Sequence, residues 1–290
     1  MVLSRQLLFR SAVWEIARPR HPLTAGHIVV RLSDPSTEFA EPSAADWLLC
    51  HNLARAALQD VLGAVRCAVM FAHRWHPIGS AVGEPVAESS TPTFHLFGRW
   101  ASETTTPGQQ LALPAHRRRT EPEETLETVD SELRQSLRFF AEGPLAETSF
   151  PGAVTGGHGM QESLAMRKGP LGQPPARVGS APEAGAGVVP AQTLVPLVAT
   201  VDASRHHSVI EPASGTGSIA GLLSGELVAM AASLTALPLT SRLSGFSCVA
   251  VEAEQPGSAL RVHAVGRSAA EDESPLLDVF RLPEVSLALL

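Results

Sequence analysis

The amino-acid sequence predicts an α+β protein built from two similar halves, each an antiparallel sheet with a packed helix. Three observations carry this reading. The order strand, Pro-bearing break, helix, strand, strand occurs twice along the chain. A His-x-x-Gly-Arg pattern closes the last strand both times, as His95-Leu-Phe-Gly-Arg99 and as His263-Ala-Val-Gly-Arg267. Between the two runs a stretch so dense in Gly and Pro that it cannot bury enough surface to offset chain entropy.

In the first half, Gly26 to Val30 reads as a strand, Asp34-Pro35 as the break and Ala44 to Leu62 as a helix, followed by strands at Cys67 to Phe71 and Thr93 to Arg99. The polar stretch Ala101 to Pro114 predicts a loop. From Glu121 to Phe140 the apolar positions Leu126, Val129, Leu133, Leu137 and Phe140 recur at three- and four-residue spacing, which predicts an amphipathic helix. In the second half, His207 to Ile210 is the strand, Glu211-Pro212 the break and Gly225 to Leu237 the helix, with strands at Cys248 to Glu252 and Leu260 to Arg267. With Cys67 set against Cys248, the first half carries 13 extra residues before its His-x-x-Gly-Arg. An internal repeat is the simplest account. The expected organisation is half one over 1–140 with its C-terminal helix, a Gly/Pro-rich linker over 141–191 whose middle, 152–190, lacks regular structure, and half two over 192–290.

Composition narrows the function. The 290 residues, 44% of them hydrophobic, can bury real cores. A net charge of −7 argues against a general nucleic-acid partner. Lys168 is the one lysine, so no Gly-Lys-Ser/Thr phosphate loop exists, and without Tyr no phenolic acid or base does either. Cys50, Cys67 and Cys248 are odd in number and far apart, which predicts buried thiols rather than a zinc knuckle or a disulfide framework; no metal or cofactor is expected. Met1 to Arg10 alternates apolar and basic residues too quickly for a signal h-region, and no apolar run reaches about 18 residues. A cytoplasmic protein without a membrane partner is the expectation.

The segment Pro22-Leu-Thr-Ala-Gly-His-Ile-Val-Val30, the following helix and the His-bearing strand ending in Gly98-Arg99 resemble the histidine-triad (HIT) superfamily. Ser204-Arg-His-His-Ser-Val-Ile-Glu-Pro212 resembles the corresponding hairpin, and the doubling is similar to that of galactose-1-phosphate uridylyltransferases. In that family a strand carries three alternating histidines, and the central imidazole attacks the α-phosphorus of a nucleotide. Laid on this chain by the Gly-Arg end, the three positions are Thr91, Thr93 and His95, so the nucleophile's place is held by Thr93. The transferases' His-Pro-His is missing, with His76-Pro77 the nearest approach, and the second half offers Ser258, Leu260 and Arg261 beside His263. The resemblance therefore implies a protein that binds a nucleotide, sugar nucleotide or other phosphorylated small molecule and has lost the nucleotidyl-histidine route.

The candidate catalytic residues are His76 and His95, acid/base groups near neutral pH. Candidate ligand contacts are His73, Arg74, Trp75, Thr93 and Arg99, because imidazole, guanidinium and indole groups suit a phosphate or a stacked base. They are expected to converge around His95, while Glu252 and Glu254 repel a phosphate from the second half. Against this stand a core role for His95 and a solvated loop at 73–76. His116-Arg-Arg-Arg119 is either a basic binding cluster or a solvated run, His206-His207 fits a structural hairpin, and Gly215 to Ser218 either caps a helix or accepts an anion. Two further readings stay open: a non-catalytic structural or interaction protein, and an active hydrolase or transferase on a phosphorylated substrate using His76 or His95. The partners implied are a phosphorylated small molecule and, compatibly, a second copy in a homodimer.

Overall fold

The computed structural model describes residues 6–76, 82–87, 93–119, 121–143, 195–203, 206–240, 242–268 and 274–290; the segment 152–190 read as linker lies outside them. The strands are β1 (Leu7–Arg10), β2 (Trp14–Ala17), β3 (His27–Leu32), β4 (Arg66–His73), β5 (Thr93–Arg99), β6 (Leu197–Asp202), β7 (His207–Glu211), β8 (Gly245–Val251) and β9 (Arg261–Arg267). All pair antiparallel in a single nine-stranded sheet, in the order β1-β2-β3-β5-β4-β8-β9-β7-β6.

The middle of that sheet is the β4–β8 pair, centred on Met70 opposite Val249. Outward from it the neighbours are β5, β3 and β2 on one side and β9, β7 and β6 on the other. Adjacent residues Val69 and Met70 are each 1% exposed, so both faces of β4 are covered. That is why Cys67 to Phe71 is an unbroken apolar run where a one-sided strand would alternate. The register corrects one alignment read from the sequence. Cys67 lies opposite Gly98, whereas the residue opposite Gly266 is Phe246; Cys248 sits two residues further on, opposite Ala264.

Side-chain alternation divides the core in two. Cys67, Val69, Leu96, Cys248, Ala250 and Ala264 point to one face, where they meet α1 (Glu41–Leu62) and α4 (Ser224–Ala236). Helix α1 buries Ala44, Trp47, Leu48, Cys50, Leu53, Ala54, Ala57 and Leu58 at helical spacing. It stops at Gly63, whose φ of 67° is the left-handed conformation that lets its N–H reach Gln59 O. Ala68, Met70, Phe97, Val249, Val251 and Val265 point to the opposite face, under Leu111 of α2 (Pro107–Leu111) and the C-terminal helices α5 (Leu276–Val279) and α6 (Pro283–Leu289). The amphipathic α3 (Glu123–Glu142) buries Leu133 and Leu137 beside α1. No described helix is long and apolar enough to cross a membrane.

Helix α2 replaces part of the loop expected over Ala101 to Pro114. Thr106 Oγ1 accepts from the Gln109 N–H at 3.2 Å, and Gln109 Oε1 accepts from the Thr106 N–H at 3.1 Å, with Pro107 opening the helix. These reciprocal bonds satisfy two amides that would otherwise be orphaned, enough to nucleate one short turn among polar residues.

The central pairing leaves no room at Gly245, where a Cβ would meet the backbone of His73, Arg74 and Trp75. Gly245→Ala is therefore expected to cost about 1–3 kcal/mol in urea unfolding. Gly215→Asn, at a left-handed position with open space around it, is expected to change stability by less than about 0.5 kcal/mol.

Candidate functional site

His27, the first residue of β3, follows a tight reversal from Leu23. Its Nδ1 accepts the Leu23 N–H at 3.1 Å, and its Nε2 lies 3.0 Å from His95 Nδ1. The Leu23 amide can only donate, so His27 keeps its lone pair at Nδ1 and its proton at Nε2. That proton points at His95 Nδ1, which must accept. Neutral His95 therefore carries its own proton on Nε2. Burial lowers the His95 pKa to about 4. His27 is pushed well down, first by burial, then by His95, Arg18 and Arg118. Both rings are neutral at pH 7, and His95 presents an N–H donor at its far nitrogen.

The reversal is held from outside. Arg18, 4% exposed, donates to Ala25 O at 2.7 Å, to His27 O at 2.6 Å and to Asp130 Oδ1 at 2.8 Å. Asp130 belongs to α3, so a buried ion pair ties that helix to the strand start that orients His27. Phe97 packs on the His27 ring with centroids 4.4 Å apart.

The second half contains a matching pair. His207 opens β7, and its Nε2 lies 3.1 Å from His263 Nδ1. His95 and His263 are each third in their strands and occupy one cross-strand row, Val29, His95, Met70, Val249, His263, Val209. Three strand spacings put them roughly 14 Å apart on the same face. The surroundings differ. His263 Nε2 is buried without a hydrogen-bond partner among the described residues, and Glu284 Oε1 of α6 stands 3.8 Å away. Burial lowers the His263 pKa to about 4. A cavity of about 240 Å³ opens here, lined by His207, His263, Arg261 and Glu284 among others. Arg261 is held by Glu211 at 2.9 Å.

The residues expected to converge on His95 are divided by the sheet. Thr93, His95 and Arg99 share one face of β5, with Arg99 engaged by Glu103. His73 follows Val69 and Phe71 on the opposite face of β4, away from His95. Arg74 and His76 are exposed. Trp75 lies over the Arg267 guanidinium, 4.3 Å from ring centroid to Cζ, in the second half. The cause is the β4–β8 register: His73 lies opposite Phe246, so the chain leaving β4 emerges beside β8 and β9. There Glu84 reaches both Ser247 and Arg267 in a buried cluster. Glu252 and Glu254, expected at the second-half pocket, pair instead with Arg55 and Arg66. Of the two readings of Gly215 to Ser218, the structure shows the cap: Ser218 Oγ accepts the Gly221 N–H at 3.2 Å, and the Ile219 N–H is occupied by Glu252 at 3.0 Å.

Sequence reasoning gave His27 no role of its own, read His207 as part of a structural hairpin, and missed Glu284 and Glu84. The available signal was a histidine opening the strand that neighbours each His-x-x-Gly-Arg strand. Among the described residues no group of three or more His, Cys, Asp or Glu is placed to hold a metal ion.

No family model matches the chain, and no curated protein matches its sequence significantly. Among solved structures, it is similar to a hypothetical histidine triad nucleotide-binding protein of Sulfolobus tokodaii strain 7, at 14% identity and a TM-score of 0.33, over 47% of this chain and 85% of that one. It is also similar to a Hit-like protein involved in cell-cycle regulation from Bartonella henselae, at 14% identity and a TM-score of 0.30, over 45% and 85%.

The buried neutral imidazoles make stability pH-dependent. Unfolding returns His95 and His263 to an ordinary pKa near 6.5, so between pH 6.5 and 4 the unfolded chain binds more protons. Stability is then expected to be full above pH 6.5 and to fall as pH drops toward 4. In urea titrations His95→Asn, which keeps an acceptor for His27 but does not titrate, is expected to flatten this fall by up to about 1.4 kcal/mol per pH unit.

Proposed function

We propose that the chain is a tandem histidine-triad-like protein, its halves two copies of one module, which binds the phosphate of a nucleotide, sugar nucleotide or similar phosphorylated small molecule and does not form a nucleotidyl-histidine. The observation that carries this reading is the proton order Leu23 N–H to His27 to His95. A nucleophilic or basic imidazole needs a lone pair on the nitrogen facing substrate. His95 offers a proton there, the polarity that suits a phosphoryl oxygen. Thr93, one side-chain repeat earlier on the same face, adds a hydroxyl, and the charge of Arg118 is felt at His27.

The second half supports the same polarity. A carboxylate, Glu284, faces His263 Nε2, so the protein places an anion of its own where the first half would take one from a ligand. That carboxylate makes the second pair a poor phosphate site, which favours binding at the His27–His95 side.

The reading is tested by calorimetric titration with AMP, UDP-glucose and inorganic phosphate. At least one phosphorylated compound is expected to bind, and His95→Asn to weaken it about ten-fold or more, the cost of a lost charge-assisted hydrogen bond. His263→Asn and His76→Ala should bind as the wild type does. An acid-labile label from α-³²P nucleotide that disappears in His95→Asn would establish covalent chemistry and overturn the donor role. No binding by any of the three compounds would favour the structural or interaction protein.

A further inference from the structure

The face of the sheet closed by α1 and α4, opposite the histidine pairs, holds a cavity of about 360 Å³ between the two halves of the sheet. Its size falls in the range of small-molecule pockets. Five of the chain's ten Phe and four Trp line it: Trp14, Phe39, Trp47, Phe71 and Phe94. They form a continuous aromatic wall, Trp14 to Phe94 at 5.8 Å, Trp47 to Phe94 at 5.1 Å and Phe71 to Phe94 at 5.0 Å between centroids. The opposite wall comes from α4, with Leu227, Met230 and Ala231.

Well-packed cores leave few voids of this size, and Phe39, Phe71 and Phe94 are only partly buried around it. Two polar atoms mark the same space. Trp47, 4% exposed, has a buried Nε1 with no hydrogen-bond partner among the described residues, and buried His73 Nε2 likewise has none. A buried donor without a partner costs about 1–3 kcal/mol, a cost that an acceptor-bearing ligand would remove. Beside His73, Arg74 is exposed and holds a φ of 56°, a conformation a non-glycine residue seldom adopts. Both His73 and Arg74 line the cavity.

We propose that this cavity binds an aromatic monoanion, its ring system seated against Trp14, Trp47, Phe71 and Phe94 and its carboxylate at the mouth with Arg74 and His73. The aromatic wall favours flat rings over acyl chains through offset and edge contacts. The single guanidinium and the small number of polar groups fit one anionic oxygen pair rather than a di- or triphosphate. This site is separate from the His27–His95 phosphate site, since the sheet lies between them.

The test is titration with 2-naphthoate and its neutral counterpart 2-naphthamide, read by quenching of tryptophan fluorescence and by calorimetry. Naphthoate is expected to bind at least ten-fold more tightly than naphthamide. Arg74→Gln should bring naphthoate down to the affinity of the amide. Ala231→Trp and, independently, Leu227→Trp, both at half-buried positions on the α4 wall, should abolish binding of both compounds while urea unfolding stays cooperative. His95→Asn should bind naphthoate normally, and saturating phosphate should not compete, so failure here is distinguishable from failure of the phosphate site. Equal affinity for naphthoate and naphthamide, binding that survives in both folded tryptophan variants, or no binding at millimolar concentration would each overturn the proposal.

Discussion

One hydrogen bond, from the Leu23 amide to His27 Nδ1, sets the chemistry of the first-half site. A backbone amide cannot reverse its role, so the polarity it imposes passes along two rings to the outer nitrogen of His95. A ring in the same place without that amide could switch tautomer and serve as a base. Here a switch would leave His27 without a proton on either nitrogen, an anionic imidazole in a buried site. Arg18 and Asp130 enter the argument at this point, because they clamp the reversal that presents Leu23 to His27. Removing either would leave a buried charge without its partner, costing about 3–5 kcal/mol, and would loosen the geometry on which the tautomer depends.

The second constraint is the antiparallel union of β4 with β8. It buries both faces of the central strands and divides the molecule's polar groups between two surfaces. The histidine pairs fall on the face closed by α5 and α6, and the aromatic cavity on the face closed by α1 and α4. The same union carries the segment after His73 toward Arg267. The buried Glu84–Arg267 pair, with Ser247 and the Trp75 ring, then holds Trp75 and Glu84 against β8 and β9. Such a buried ion pair adds little net stability beside its desolvation cost, but it admits few alternative placements of Glu84.

Much of the architecture was legible because it rests on local periodicity. The helices at 41–62, 123–142 and 224–236 and the strands carrying His95 and His263 follow from apolar spacing and turn residues within each segment. Strands β1 and β2, of four residues each, carry too few side chains for a period to emerge, and β6, at the sheet edge, is exposed along nearly its whole length, so no buried face sets one. Helix α2 was expected as loop because its run is polar; the signal it did carry was the capping box Thr106-Pro-Gly-Gln109. The site was harder. Placing His73, Trp75 and His95 together required the face of β4 and its partner on the far side, and register between strands is decided by contacts far apart in sequence. The Arg18–Asp130 pair spans 112 positions. Glu284 lies in a C-terminal segment with no motif to single it out. The histidine pairs themselves were within reach, since each joins a histidine opening one strand to one third along its neighbour.

The most direct test of the account is the protonation state of His95 itself, read by long-range ¹H–¹⁵N correlation on histidine-labelled protein. Between pH 6 and 8, His27 and His95 are both expected to be neutral with the proton on Nε2, and His95 to stay so until the pH approaches 4. A His95 ring protonated at Nδ1, or charged at pH 7, would contradict the donor assignment and return the residue to the role of base or nucleophile.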